Sequence, residues 1–91
     1  MLYFVIEHFK SPEATIEVYQ RFAEKGRMLP DGLYYIDSWV EENMNRCFQV
    51  METDDPRLFD EWTACWCDLV DFEIVPVTKS AAASASIVDK K

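Results

Sequence analysis

The chain predicts an α+β fold of order β-α-β-β-α-β, four antiparallel strands in one sheet with two helices on one of its faces. Three observations carry that expectation. Four segments are rich in β-branched and aromatic residues. Two stretches between them open on a capping residue followed by proline and continue at helical spacing. The middle two strand segments are joined by a turn short enough for a hairpin.

LYFVIEHF, residues 2–9, reads as the first strand. Ser11-Pro12 follows as an N-cap with proline in the first helical turn, because a side-chain oxygen satisfies a free N–H there and proline has none to waste. Val18, Tyr19, Phe22 and Ala23 form the inward stripe of this helix, and Gly26 is its stop. LYYIDSWVEE (33–42) and RCFQVMET (46–53) read as the hairpin strands around Asn43-Met44-Asn45. Asp55-Pro56 repeats the cap-plus-proline signal. Leu58, Phe59, Trp62, Cys65, Trp66 and Leu69 then make one helical stripe, which assigns Trp62 and Trp66 to the core. VDFEIVPVT (70–78) is the last strand, with Pro76 marking an edge or a strand end. The order is that of a ferredoxin-like sandwich. Residues 1–78 make the single domain, and the small-residue stretch from Lys79 to residue 91 reads as a loose tail.

A chain of 91 residues buries only roughly 60–65% of its unfolded surface, so the core is modest. Six Phe, four Tyr and three Trp are more aromatic surface than such a core needs, which points to an interface. The net charge of −8 argues against nucleic acid and anionic membranes as partners. No apolar run approaches the roughly 20 residues of a membrane span, and three cysteines, an odd number, suit a reducing cytoplasm better than a disulfide framework.

Pairing Glu42 with Arg46 sorts the sheet into two faces. Leu2, Phe4, Ile6, Ile36, Ser38, Val40, Phe48, Val50, Phe72 and Ile74 are then the more aliphatic set, expected under the helices. Tyr3, Val5, Glu7, Phe9, Tyr35, Asp37, Trp39, Cys47, Gln49, Met51, Glu73, Val75 and Val77 are left for the helix-free face. So many aromatics there exceed what a monomer exposes, and a second copy of the same sheet is the simplest cover. The carboxylates Glu7, Asp37 and Glu73 among them are expected either to reach water at the rim or to line a partly wet cavity between the two sheets. Its candidate ligand-binding residues are Glu7, Tyr35, Asp37, Trp39, Cys47, Gln49 and Glu73.

The stretches RMLPDGLYYIDSWVE, RCFQVMETDDP and DLVDFEIVPV resemble a family of short bacterial proteins catalogued as a domain of unknown function. The resemblance covers nearly all of residues 1 to 78 and leaves the tail outside. It implies membership of the dimeric α/β-barrel superfamily, in which two ferredoxin-like sheets face each other. That superfamily includes cofactor-less monooxygenases, haem-degrading enzymes, muconolactone-isomerase-like proteins and members that only bind. Relatives with oxygenase or haem chemistry generally place a histidine or asparagine in the cavity. Here the single histidine, His8, falls by parity on the helix side. A homodimer that binds a small molecule between its sheets, without cofactor or metal, is therefore the leading expectation. A cofactor-independent monooxygenase or isomerase using Glu7, Asp37 or Glu73 as general base is the alternative. Cys65 and Cys67 point about 200° apart on a helix, so they are expected not to share a metal unless the helix stops before Cys65.

Overall fold

The computed structural model describes residues 1–89. Its elements are strand β1 (Leu2–Phe9), helix α1 (Pro12–Lys25), strands β2 (Tyr34–Val40) and β3 (Arg46–Glu52), helix α2 (Leu58–Ala64), strand β4 (Val70–Val77) and helix α3 (Ser80–Asp89). The strands form one antiparallel sheet in the order β2-β3-β1-β4, with β1 and β3 inside and β2 and β4 at the edges. Pro76 thus lies on an edge strand, where its missing N–H leaves no rung of an inner ladder open.

The helix ends follow their local chemistry. Ser11 Oγ accepts the Ala14 N–H at 3.0 Å, Pro12 opens α1, and Gly26 closes it at φ 68° with its N–H on the Phe22 carbonyl at 2.8 Å. Asp55-Pro56 sits in a tighter turn ahead of α2: the Leu58, Phe59 and Asp60 N–H groups each bond three residues back. The Asp55 carboxylate takes the Arg57 N–H and its guanidinium instead of capping the helix itself. α2 ends at Ala64, sooner than the stripe suggests. Phe59, Trp62, Trp66 and Leu69 are nevertheless all buried, because the turns from Cys65 to Leu69 keep the same side inward. Cys65 packs on the core, while Cys67 is exposed.

The core lies between the sheet and α2. Val5 and Met51 are fully enclosed, Tyr3 meets the Phe59 ring edge-on at 5.0 Å, and Trp62 meets Phe72 at 5.3 Å. Odd-numbered residues of β1 and β3 therefore face the helices, the reverse of the assignment made from aliphatic content. Leu2, Phe4, Ile6, Phe48 and Val50 face the open side, where the Phe4 and Phe48 rings stack at 6.1 Å. The hairpin explains part of the inversion. Glu41, not Glu42, meets Arg46: the Glu41 N–H donates to the Arg46 carbonyl at 2.9 Å, and the Arg46 guanidinium reaches the Glu41 carboxylate. One residue of slip sends each cross-strand partner to the other face. The register shifts again between Tyr35 and Asp37, so Tyr35 faces the helices while Asp37 and Trp39 face out. In β4 the expected alternation holds, with Phe72 and Ile74 inward.

The alanine-rich segment expected to be a loose tail forms α3, consistent with alanine's strong helix propensity. Ile87 and Val88 on it reach solvent. The last two residues of that segment, 90 and 91, lie outside the described residues. Among the described residues, no helix is long and apolar enough to cross a membrane.

Both indole N–H groups of α2 and its following turn end on one acceptor, the Arg27 carbonyl, from Trp62 at 3.0 Å and Trp66 at 3.1 Å. Trp62→Phe removes one donor and part of a buried ring while Trp66 still serves the carbonyl. We expect a loss of about 1–2 kcal/mol, read as a lower urea midpoint at unchanged m-value.

Candidate functional site

α1 does not lie flat on the sheet. Ala14 and Thr15 near its start are buried, but Tyr19 and Phe22, members of its inward stripe, remain about 40% exposed. The sheet beneath them presents Glu7, Ser38, Cys47 and Gln49 instead of bulky apolar groups, so the helix has little to close upon. A cleft of about 130 Å³ results, walled by Phe9, Val18, Tyr19, Phe22, Trp62 and Trp66.

Its closed end is polar. Gln49 Nε2 donates to Glu7 Oε2 at 2.7 Å, and both residues are buried. Gln49 Oε1, also buried, has no hydrogen-bond partner. An acceptor stripped of water in this way is costly unless something donates to it. Burial raises the Glu7 pKa above its ordinary 4.5, opposed by hydrogen bonds from Gln49 and Cys47 and by the Arg27 charge. The Cys47 thiol is pushed up to about 12 by burial and by the charge of Glu7, so at neutral pH it is an SH and no nucleophile. Burial, with Cys47 and Glu7 adding to it, also raises the Tyr19 phenol.

Toward solvent the cleft is bounded by Arg27. Its guanidinium lies 3.6 Å from the Tyr35 ring centroid and 4.9 Å from that of Phe22. Tyr35 is itself held through a 2.7 Å hydrogen bond between its hydroxyl and Ser38 Oγ.

The seven residues expected to share a cavity divide between two faces. Glu7, Tyr35, Cys47 and Gln49 come together on the helix side. Asp37, Trp39 and Glu73 lie on the open face, Asp37 accepting the Ser38 N–H at 2.8 Å and Trp39 more than half exposed. His8, expected beneath the helices, is on the open face as well, with Nε2 2.6 Å from Glu73 Oε1. The groups expected in a cavity between two sheets are therefore mostly inside a single chain, between its sheet and its helices. Among the described residues, no cluster of three His, Cys, Asp or Glu side chains could hold a metal ion.

Sequence reasoning missed Arg27 altogether. Its one signal is its place directly after the helix-ending Gly26, where the left-handed turns at Gly26 and Met28 (φ 68° and 59°) fold the loop back over the sheet. Arg21 was missed too: it clamps Asp68 through two bonds of 2.8 and 2.9 Å and donates to the Cys65 carbonyl, tying α1 to the end of α2.

A match to the domain of unknown function DUF3303 runs over residues 1–90. The chain belongs to the DUF3303 family. The match extends through the alanine-rich segment, which the sequence resemblance left outside. No curated protein and no solved structure matches the chain. For this DUF3303 protein the candidate site rests on its own geometry.

Glu7 has a consequence for stability. The folded chain holds a proton on Glu7 at pH values where the unfolded chain has released it. Between the ordinary carboxylate value of 4.5 and the raised folded one, the native state thus binds more protons, and stability falls as pH rises. We expect Glu7→Gln to melt above the wild type at neutral pH, with the gap closing toward pH 4.5. The difference between the two melting curves isolates this group from the other carboxylates.

Proposed function

We propose that this protein is a homodimer that binds a small molecule in the cleft between α1 and the sheet of each protomer, with the open sheet faces packed against one another. The observation that carries the ligand site is the unpartnered Gln49 Oε1, buried beside Glu7 at the end of an aromatic cleft. A group of that kind is tolerated where a ligand completes it. The cleft replaces the inter-sheet cavity as the ligand site, since Glu7, Cys47 and Gln49 face the helices.

The dimer is supported by the open face. Phe4, Ile6, Phe48, Val50, Trp39 and Val75 share that face, with Trp39 and Val75 exposed on it and the other four half-buried, and contiguous apolar groups of this kind suit an interaction surface. An isologous contact between two such faces buries it with one surface patch. We take the arrangement to be ferredoxin-like and the assembly that of the dimeric α/β-barrel superfamily. The acidic balance speaks against nucleic acid and membrane surfaces as partners, and the free cysteines suit the cytoplasm.

One observation favours a second reading. Glu7 keeps its proton to higher pH than an ordinary carboxyl and borders the cleft, as a general acid–base would in an isomerase or monooxygenase needing no cofactor. Formation of a product that Glu7→Gln abolishes would mark catalysis; binding alone leaves the ligand unchanged.

The three tryptophans give a direct test. Trp62 and Trp66 wall the cleft and Trp39 lies on the open face. Phenol, as an uncharged one-ring probe, is expected to shift the Trp62 and Trp66 indole N–H resonances and leave that of Trp39 in place. A shift of Trp39 alone, or of none, counts against the cleft. For the assembly, sedimentation at micromolar concentration is expected to give a dimer that Phe48→Glu converts to monomer. A monomeric wild type ends the dimer reading.

A further inference from the structure

Three of the four arginines are matched with carboxylates. Arg21 pairs with Asp68, Arg46 with Glu41 and Arg57 with Asp55, each with a closest nitrogen–oxygen approach of 2.8 or 2.9 Å. Arg27 makes no ion pair among the described residues, in a chain that carries 17 acids against 9 basic residues. It is also held in place: the Tyr35 and Phe22 rings lie against its guanidinium, which lines the cleft and makes no side-chain hydrogen bond among the described residues. A planar cation stacked on aromatic rings with its donors unused is suited to a bidentate carboxylate.

At the closed end the deficit has the other sign. Glu7 Oε2 accepts from the amide of Gln49 at 2.7 Å. The remaining buried group, Gln49 Oε1, is an acceptor without a donor. Between the two ends the walls are apolar and aromatic, and the volume is about 130 Å³. A dry cavity of about 150 Å³ holds one benzene ring.

Building on the reading of this cleft as a ligand site, we propose that it takes a one-ring aromatic monocarboxylic acid bearing a hydroxyl or N–H donor opposite the carboxylate. The carboxylate sits on the Arg27 guanidinium and the far donor on Gln49 Oε1. A second carboxylate is disfavoured at the closed end, beside the buried Glu7 carboxyl.

The test uses the full chain, isotope-labelled, with para-hydroxybenzoate as probe and the Trp62 and Trp66 indole resonances as readout. The acid is expected to bind roughly tenfold or more tightly than its methyl ester, the size of effect a charge-assisted hydrogen bond gives. Benzoate, lacking the far hydroxyl, is expected to fall behind para-hydroxybenzoate. Arg27→Met removes the fork but keeps the backbone carbonyl that both indoles use. It should bring the acid down to the ester's affinity and be partly rescued by Arg27→Lys. If Arg27→Met does not fold, the acid-against-ester comparison on the unaltered chain decides alone. An ester that binds as well as the acid, or an Arg27→Met protein that still prefers the acid, overturns the proposal. If phenol or the ester occupies the cleft and the acid does no better, the ligand class is wrong and the cleft stands. If none of the probes moves either indole, both readings fall.

Discussion

A single backbone oxygen organises the helix side of this protein. Buried indole N–H groups must find acceptors, and the Arg27 carbonyl serves both Trp62 and Trp66. That shared acceptor fixes the loop after α1 against the turn after α2, two segments far apart in sequence. With its carbonyl committed inward to the tryptophans, Arg27 carries its side chain against Tyr35 and Phe22 at the cleft. The same rings that close the core therefore also wall the candidate site, and the loop that positions the cation is held by the core.

The polar end of the cleft depends on this rigidity. A carboxyl as enclosed as that of Glu7 destabilises the fold when ionised, and two hydrogen bonds and a nearby guanidinium offset only part of the burial. Replacing the Glu7–Gln49 pair with two apolar residues would satisfy the core better. Its position under the lifted half of α1, with one acceptor left open, makes sense if the site is built for an occupant more than for packing.

What could be read from the sequence was local. Ser11-Pro12 and Gly26 bound α1 because their cap chemistry involves residues within one turn. The spacing of Phe59, Trp62, Trp66 and Leu69 marked a buried stripe that outlasts the helix itself. The faces of β1 and β3 were not legible. Both sides of these strands are apolar, so neither alternating set identifies the core, and the pairing of Glu41 with Arg46 is decided by one residue of turn length. The irregularity after Tyr35 has no sequence mark. The candidate site followed the same division: Glu7, Cys47 and Gln49 were recognised as a group because they share a parity, yet were assigned to the wrong side. Arg27 stayed hidden because its role comes from a long-range hydrogen bond of its backbone.

The register shift near Ile36 has a further consequence for the sheet's margins. β2 and β4 are the two edges, where unpaired N–H and C=O groups could template a further strand. On β2 the shift breaks the regular spacing of those groups, and on β4 Pro76 has no N–H to offer. Both margins are poor starting points for an endless ribbon of sheets. Growth of the sheet by an added strand is thereby discouraged at both rims, by the irregular spacing on one and the missing donor on the other.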